Sequence, residues 1–351
     1  MKNQKFLENN VGHYLLLTIR WLIYRFLVIL DLLRIKKLSP YCSAIFGGKQ
    51  MAILSDGTVV CSCFDYDKRH VLGDFNESDL TQIWFGKGYC EFRDRMNSGY
   101  IPSLYCVGCS FFRSNWEGPR EVKTPETVLI EYNANCNCHC PGCYRSQILS
   151  SRNGLKMNSQ LYQKIVNNLA RTNSIKSIGF YNHGEPFLYP EAFDAIRRLR
   201  ERMPQVWIFS TTNGIPLDTG EKRRALIESG LDSLIFSIDG TNSSSYSRYR
   251  RGGDFDKAID NLRATARLKR ELERQKPILA WRYLLFHWND SDEEIEEAMR
   301  MAKEIGVDQF SFHTTRSPVW AFSLKYLPFR RRYYERIKDY IYPNWLEINW
   351  D

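Results

Sequence analysis

Cys136, Cys140 and Cys143 stand at the spacing CxxxCxxC, in the stretch Asn135-Cys136-Asn137-Cys138-His139-Cys140-Pro141-Gly142-Cys143-Tyr144. Three thiolates so spaced can hold three irons of a 4Fe-4S cluster. Structural clusters take four cysteines, so a three-cysteine loop leaves one iron open to an outside ligand. A zinc site completed by Cys138 or His139 is the alternative reading of the same loop.

All ten cysteines fall between Cys42 and Cys143. In a chain of 351 residues without a secretion signal, such clustering points to metal or cluster ligation in a reducing cytosol rather than to disulfides. A second set consists of Cys42, then Cys61 after the turn Ser55-Asp56-Gly57, then the CxxC of Cys106 and Cys109. Four thiolates would saturate a second 4Fe-4S cluster, or a zinc ribbon. Cys63 competes with Cys61 in this set, and Cys90 has no assigned role.

The loop needs a scaffold, and the remaining sequence supplies one. Six strand-like runs, at residues 128–132, 177–181, 206–210, 233–237, 278–283 and 309–312, alternate with helical patterns at 159–171, 191–203, 222–229, 255–273 and 292–305. The last helix opens on Ser291 as N-cap with Glu294 completing a capping box. Alternation of this kind predicts parallel βα units, and six of them predict an α/β fold with a partial (β/α)6 barrel. Chemistry in such folds sits at the C-terminal ends of the strands. Those ends read Asn182-His183-Gly184-Glu185-Pro186, Ser210-Thr211-Thr212-Asn213-Gly214 and Ser237-Ile238-Asp239-Gly240.

Taken together and in this order, the motifs over about residues 126–315 resemble the radical S-adenosylmethionine (SAM) superfamily. The resemblance implies that Cys136, Cys140 and Cys143 ligate a cluster whose open iron chelates the amino and carboxylate groups of SAM. Reductive cleavage of the sulfonium would then release a 5'-deoxyadenosyl radical that abstracts a substrate hydrogen. Tyr144 matches the aromatic beside the adenine. Glu185, within Gly184-Glu185-Pro186, matches the carboxylate that receives the SAM amino group. Thr212 and Asn213 match the ribose-contacting strand end, and Ser237 the hydroxyl near the methionine carboxylate. His183 departs from the usual Gly, and Cys138 from an often apolar position, where it is read as a spare thiol.

Cys42, Cys61, Cys106 and Cys109, with residues 72–75 and 80–86, resemble the SPASM/Twitch auxiliary-cluster module, placed before the barrel instead of after it. The domain reading is therefore a basic amphipathic helix at 1–40, the auxiliary-cluster region at 41–117, the barrel at 118–320 and a basic, aromatic tail at 321–351 that covers the open side of the barrel. The expected cofactors are two 4Fe-4S clusters and SAM, and the expected electron donor resembles flavodoxin or ferredoxin.

The net charge of +9 is concentrated at the start, where the first 40 residues carry seven basic and two acidic side chains. A bilayer-spanning helix is disfavoured because Arg20 and Arg25 interrupt the apolar run. Two readings of residues 14–37 stay open: a peripheral contact with the inner face of an anionic membrane, or a helix packed on the protein. Arg248, Arg250 and Arg251 are read as exposed loop residues and left out of the site.

The expected function is hydrogen abstraction from a small or carbohydrate-like metabolite by a cytoplasmic, oxidoreductase-like radical SAM enzyme, with the auxiliary cluster accepting an electron. Maturation of a ribosomally made peptide is the alternative. A non-enzymatic zinc protein that binds RNA is remote, because basic residues beyond the first 40 are scattered among acids and no RNA-binding motif is found; no nucleic-acid partner is expected.

Overall fold

The computed structural model describes residues 39–326 except 64, 104–105, 107–108, 115, 316 and 319, together with Leu22, Phe26, Ile337, Asp339 and Tyr340. The amphipathic helix at 1–40 and most of the tail at 321–351 lie outside the described residues. No helix among the described residues is long and apolar enough to cross a membrane.

Eleven strands are described: β1 (Tyr41–Cys42), β2 (Met51–Ile53), β3 (Thr58–Val60), β4 (Gly73–Asp74), β5 (Phe112–Arg113), β6 (Thr127–Ile130), β7 (Ser177–Gly179), β8 (Trp207–Thr212), β9 (Ser233–Ser237), β10 (Ile278–Leu285) and β11 (Gln309–Thr314). Strands β6 to β11 are the six expected from sequence. They pair in parallel and in chain order, which makes the partial barrel. The helices between them run Ser159–Leu169, Glu191–Arg202, Gly220–Ile227, Phe255–Glu271 and Asp292–Ile305, each within a few residues of its expected bounds.

The cysteine-rich region shares this sheet. The hairpin β2–β3 closes over a turn in which Gly57 takes φ +93°, and β2 lies parallel to β6 with Ala52 opposite Leu129. Polar backbone at the first edge of the barrel is thus paired instead of left open to another chain. At the far edge, the amide of Phe312 donates to the carbonyl of Tyr340 at 2.7 Å, so described tail residues do cover β11.

Alternation along β10 sets the two faces of the sheet. Leu279, Trp281, Tyr283 and Leu285 are buried against the helices, while Ile278, Ala280, Arg282 and Leu284 face the barrel lumen and stay partly accessible. The helix N-termini follow the expected chemistry, with Asn158, Thr219, Asp254 and Ser291 accepting from amides of their first turns. Glu294 differs from its expected capping-box role. Its carboxylate leaves the helix end for the Thr241 hydroxyl, for Asn242 Nδ2 at 3.0 Å and for the Tyr283 hydroxyl at 3.2 Å, because the buried Tyr283 hydroxyl needs an acceptor more than an exposed cap does.

Candidate active site

The cluster loop leaves β6 and is held by hydrogen bonds from the neighbouring strand ends. Asn133 Nδ2 donates to the carbonyls of Asn135 at 3.1 Å and Glu185 at 2.8 Å, and the Glu185 amide donates to the Asn135 carbonyl at 2.7 Å. Gly184 sits where these segments cross. Its φ is +85°, and a Cβ there would lie 2.5 Å from the Asn133 carbonyl oxygen, so no other residue fits without moving the loop. On the opposite side, the His139 amide donates to the Arg251 carbonyl at 2.7 Å.

Within the loop, Cys136 and Cys140 flank the buried Cys138. A hydrogen bond from the Cys138 thiol brings the Cys136 thiol down to about 6, against the effect of burial, with Arg145 and Arg250 helping. The same thiol lowers Cys140. Cys138 itself is pushed up, as the shared donor. Burial pushes Cys143 up to about 12. Among the described residues, no three His, Cys, Asp or Glu side chains converge on a point fit for a single metal ion. Thiolates arranged around a multi-iron cluster need no such point.

Glu185 lies 2% exposed at the end of β7. Its carboxylate accepts from the Thr212 hydroxyl at 2.8 Å, the Asn213 amide at 2.7 Å and the Phe187 amide at 3.3 Å. Burial, aided by the Cys136 sulfur, pushes it up to about 8 despite those donors. No Lys or Arg among the described residues forms an ion pair with it, so no positive side chain offsets the burial that favours its protonated form. Pro186 starts a short 3-10 turn directly after it, with φ preset for that turn.

The remaining expected residues gather at the same mouth. Thr212 is engaged by Glu185 and by the Gly214 amide, and Asn213 Nδ2 donates to Asn137 Oδ1 at 2.7 Å. Ser237 is bonded to Arg282 and lies 3.2 Å from the Thr211 hydroxyl. Tyr144 stacks on Tyr66, and His183 meets the edge of Tyr66 and the carbonyl of Cys63. The bulk at position 183 therefore packs against the cysteine-rich region.

Arg250 overturns its reading as an exposed loop residue. It pairs with the fully buried Asp239 at 2.6 Å and places Nη1 3.8 Å from Cys140 Sγ. The available signal was Asp239, which ends a strand pointing into the mouth and needs a cation once buried. Arg145, which holds the carbonyls of Cys136 and Cys138, and Arg282 were also missed.

The second cysteine set closes on one small apolar cavity lined by Cys42, Cys61, Cys106 and Cys109, with Asp65 and His70 at its side. Burial pushes Cys42 up to about 11 and Cys106 up to about 12, so these sulfurs become thiolates only with a metal or cluster to bind them. Cys63 does not line this cavity; it packs with Tyr181 and Phe209 on the lumen side of the β2–β3 hairpin. Cys90 is exposed.

Comparison with known proteins agrees with this division. Residues 130–272 match the radical SAM superfamily and residues 42–110 the SPASM iron-sulfur cluster-binding domain. The tungsten-containing aldehyde ferredoxin oxidoreductase cofactor-modifying protein of Pyrococcus furiosus is 31% identical over 112 residues, which are 32% of this chain and 30% of that one. The GTP 3',8-cyclase of Limosilactobacillus fermentum is 30% identical over 142 residues, 40% of this chain and 41% of that one. The chain thus spans less than half the length of either relative. Among solved structures, methylornithine synthase aligns with 14% identity and a TM-score of 0.40, over 53% of this chain and 52% of that one. The two matched domains imply a SAM-binding 4Fe-4S cluster, SAM itself and an auxiliary cluster. The chain thus carries a radical SAM domain over residues 130–272, with a SPASM domain ahead of it over residues 42–110.

Proposed function

We propose that this radical SAM enzyme removes hydrogen from a small or carbohydrate-like metabolite, using Cys136, Cys140 and Cys143 as ligands of the SAM cluster and Cys42, Cys61, Cys106 and Cys109 as ligands of the auxiliary one. The observation that carries the reading is the buried Glu185 carboxylate, without a cationic partner, set by Thr212 and Asn213 beside the cluster loop. When bound, the cluster and SAM would supply the one-electron chemistry that removes a hydrogen atom from the substrate.

The residues of this chain bind and orient. Glu185 would accept from the amino group of SAM and Tyr144 would flank the adenine, while Ser237, Thr212 and Asn213 line the mouth. Arg250, held by Asp239, keeps a positive charge against Cys140. Net oxidation of the substrate would pass its second electron to an auxiliary cluster held by Cys42, Cys61, Cys106 and Cys109, with release of a proton. A small substrate is favoured over a peptide because one relative is named for a nucleotide. A flavodoxin- or ferredoxin-like protein serves as reductant.

The test is anaerobic reconstitution with iron and sulfide, followed by iron counting and an assay for 5'-deoxyadenosine with SAM and dithionite. About eight irons per chain are expected with both clusters bound. The joint Cys136, Cys140 and Cys143 to Ala variant should keep the auxiliary iron and lose SAM cleavage. A colourless zinc protein that leaves SAM intact would overturn the reading.

A further inference from the structure

Arg282 is a charged group in the barrel lumen that neither the cluster loop nor Glu185 uses. It projects from the lumen face of β10, level with Ser237 on β9 and Ser311 on β11. Its Nη2 donates to Ser237 Oγ at 2.6 Å, and its Nε is shielded from solvent with no hydrogen-bond partner. No carboxylate among the described residues forms an ion pair with it. The nearest candidate, Asp239, is taken by Arg250 at 2.6 Å and by the Leu284 amide at 2.8 Å.

A guanidinium shielded at Nε and without a counter-ion is costly, and its planar fork matches the paired oxygens of a carboxylate or phosphate. The surroundings fit such a guest. His313 Nε2 lies 3.0 Å from Ser311 Oγ, and burial together with the charge of Arg282 holds the imidazole down at about 3, so it remains neutral. Across the lumen, Leu129, Tyr181 and Phe209 offer an apolar wall. Depth separates this place from the cluster. Asp239 meets Leu284, two residues further along β10, so the backbone of Arg282 lies about 7 Å deeper in the barrel than that of Leu284.

We propose that Arg282, held in place by Ser237 and joined by Ser311, forms a recognition site for an anionic carboxylate or phosphate group on the substrate within the barrel lumen. The proposal rests on the radical SAM reading for the identity of its guest as substrate, but the site itself is a property of this chain. It narrows the substrate class to acidic small molecules whose remaining body packs on the apolar wall.

The test uses the full-length, cluster-reconstituted protein and two probes, inorganic phosphate and succinate, followed by equilibrium dialysis. Saturable binding of at least one probe is expected. R282Q should weaken it about 10- to 100-fold, the usual loss for a buried charge-assisted hydrogen bond, and R282K should recover part of it. SAM affinity, measured on the same samples, should fall by a smaller factor than probe affinity in R282Q. The absence of saturable binding, unchanged binding in folded R282Q, or a loss of SAM affinity as large as the probe loss would overturn the proposal; the last would assign the guanidinium to the SAM carboxylate. If R282Q does not fold, R282K and Ser311→Ala carry the test, each expected to weaken probe binding. Probe binding that depends on Arg282 in a protein that never cleaves SAM would keep the site and reject the radical SAM reading.

Discussion

Tyr66 and Tyr144 stack with ring centroids 4.4 Å apart and planes 3° from parallel. One ring belongs to the cysteine-rich region and the other follows the last cysteine of the cluster loop, so the two cluster regions meet through an aromatic pair. Tyr66→Ala should destabilise the protein by about 3 kcal/mol, as large-to-small changes at buried aromatics do, and should raise the SAM concentration needed for half-maximal cleavage. Tyr66→Phe keeps the stack and should cost much less. Urea unfolding and a SAM titration check both; equal effects of the two changes would show that the ring is not what matters.

The auxiliary cavity makes a separable prediction. Replacing Cys106 and Cys109 by Ala should remove about half of the bound iron and leave reductive SAM cleavage in place. Cys61→Ala should behave like that pair, whereas Cys63→Ala should retain the full iron content, because Cys63 lies outside the cavity. Iron analysis of the three variants decides it, and iron loss on changing Cys63 alone would reverse the assignment.

Glu185 should make stability depend on pH. Its folded-state value of about 8 lies above the ordinary carboxyl value of about 4.3, so between these limits the folded protein binds a proton that the unfolded chain has lost. This group's contribution to stability is therefore full below about pH 4 and lost as pH rises through about 8. The cofactor-free protein should lose stability relative to Glu185→Gln over that window, as read from urea midpoints of both. The same variant should bind SAM about tenfold or more weakly, since a charged acceptor is lost.

Glu131 and Arg152 form a fully buried bidentate pair, with contacts of 2.6 and 3.0 Å. Glu131 also accepts from the amides of Ser55 and His183, and Arg152 donates to the Tyr66 carbonyl, so the pair ties the hairpin, the end of β7 and the helix after the cluster loop together. Arg152→Met should cost about 3–5 kcal/mol by stranding the carboxylate. The double change with Glu131→Leu should recover a large part of that loss, and thermal or urea unfolding of the three proteins would show it.

Much of this architecture is legible in the chain because it is local. Period-two runs such as 278–283 and helical runs such as 292–305 carry their own pattern, and six alternations leave few topologies open. The three cluster cysteines lie within eight residues, so their spacing alone makes them a group. The strand-end motifs with Glu185 and Asn213 become readable once the strands are placed, since parallel βα units bring strand ends to one mouth.

Other relationships depend on distance in sequence and so on tertiary structure. Nothing near Arg250 distinguishes it from Arg248 or Arg251; only the buried Asp239, eleven residues earlier, draws it inward. Cys61 and Cys63 are two residues apart, and which of them faces Cys106 and Cys109 is set by how the hairpin lies against β6. Arg282 reads as one polar position in a strand until pairing with β9 and β11 sets it beside Ser237 and Ser311 in the lumen. By itself the sequence determined the elements, the cluster loop and the class of chemistry, because each is written in short-range spacing. The tertiary structure decided which charges are paired and which sulfurs share a cavity, because burial and counter-ions depend on segments that meet only when the sheet closes.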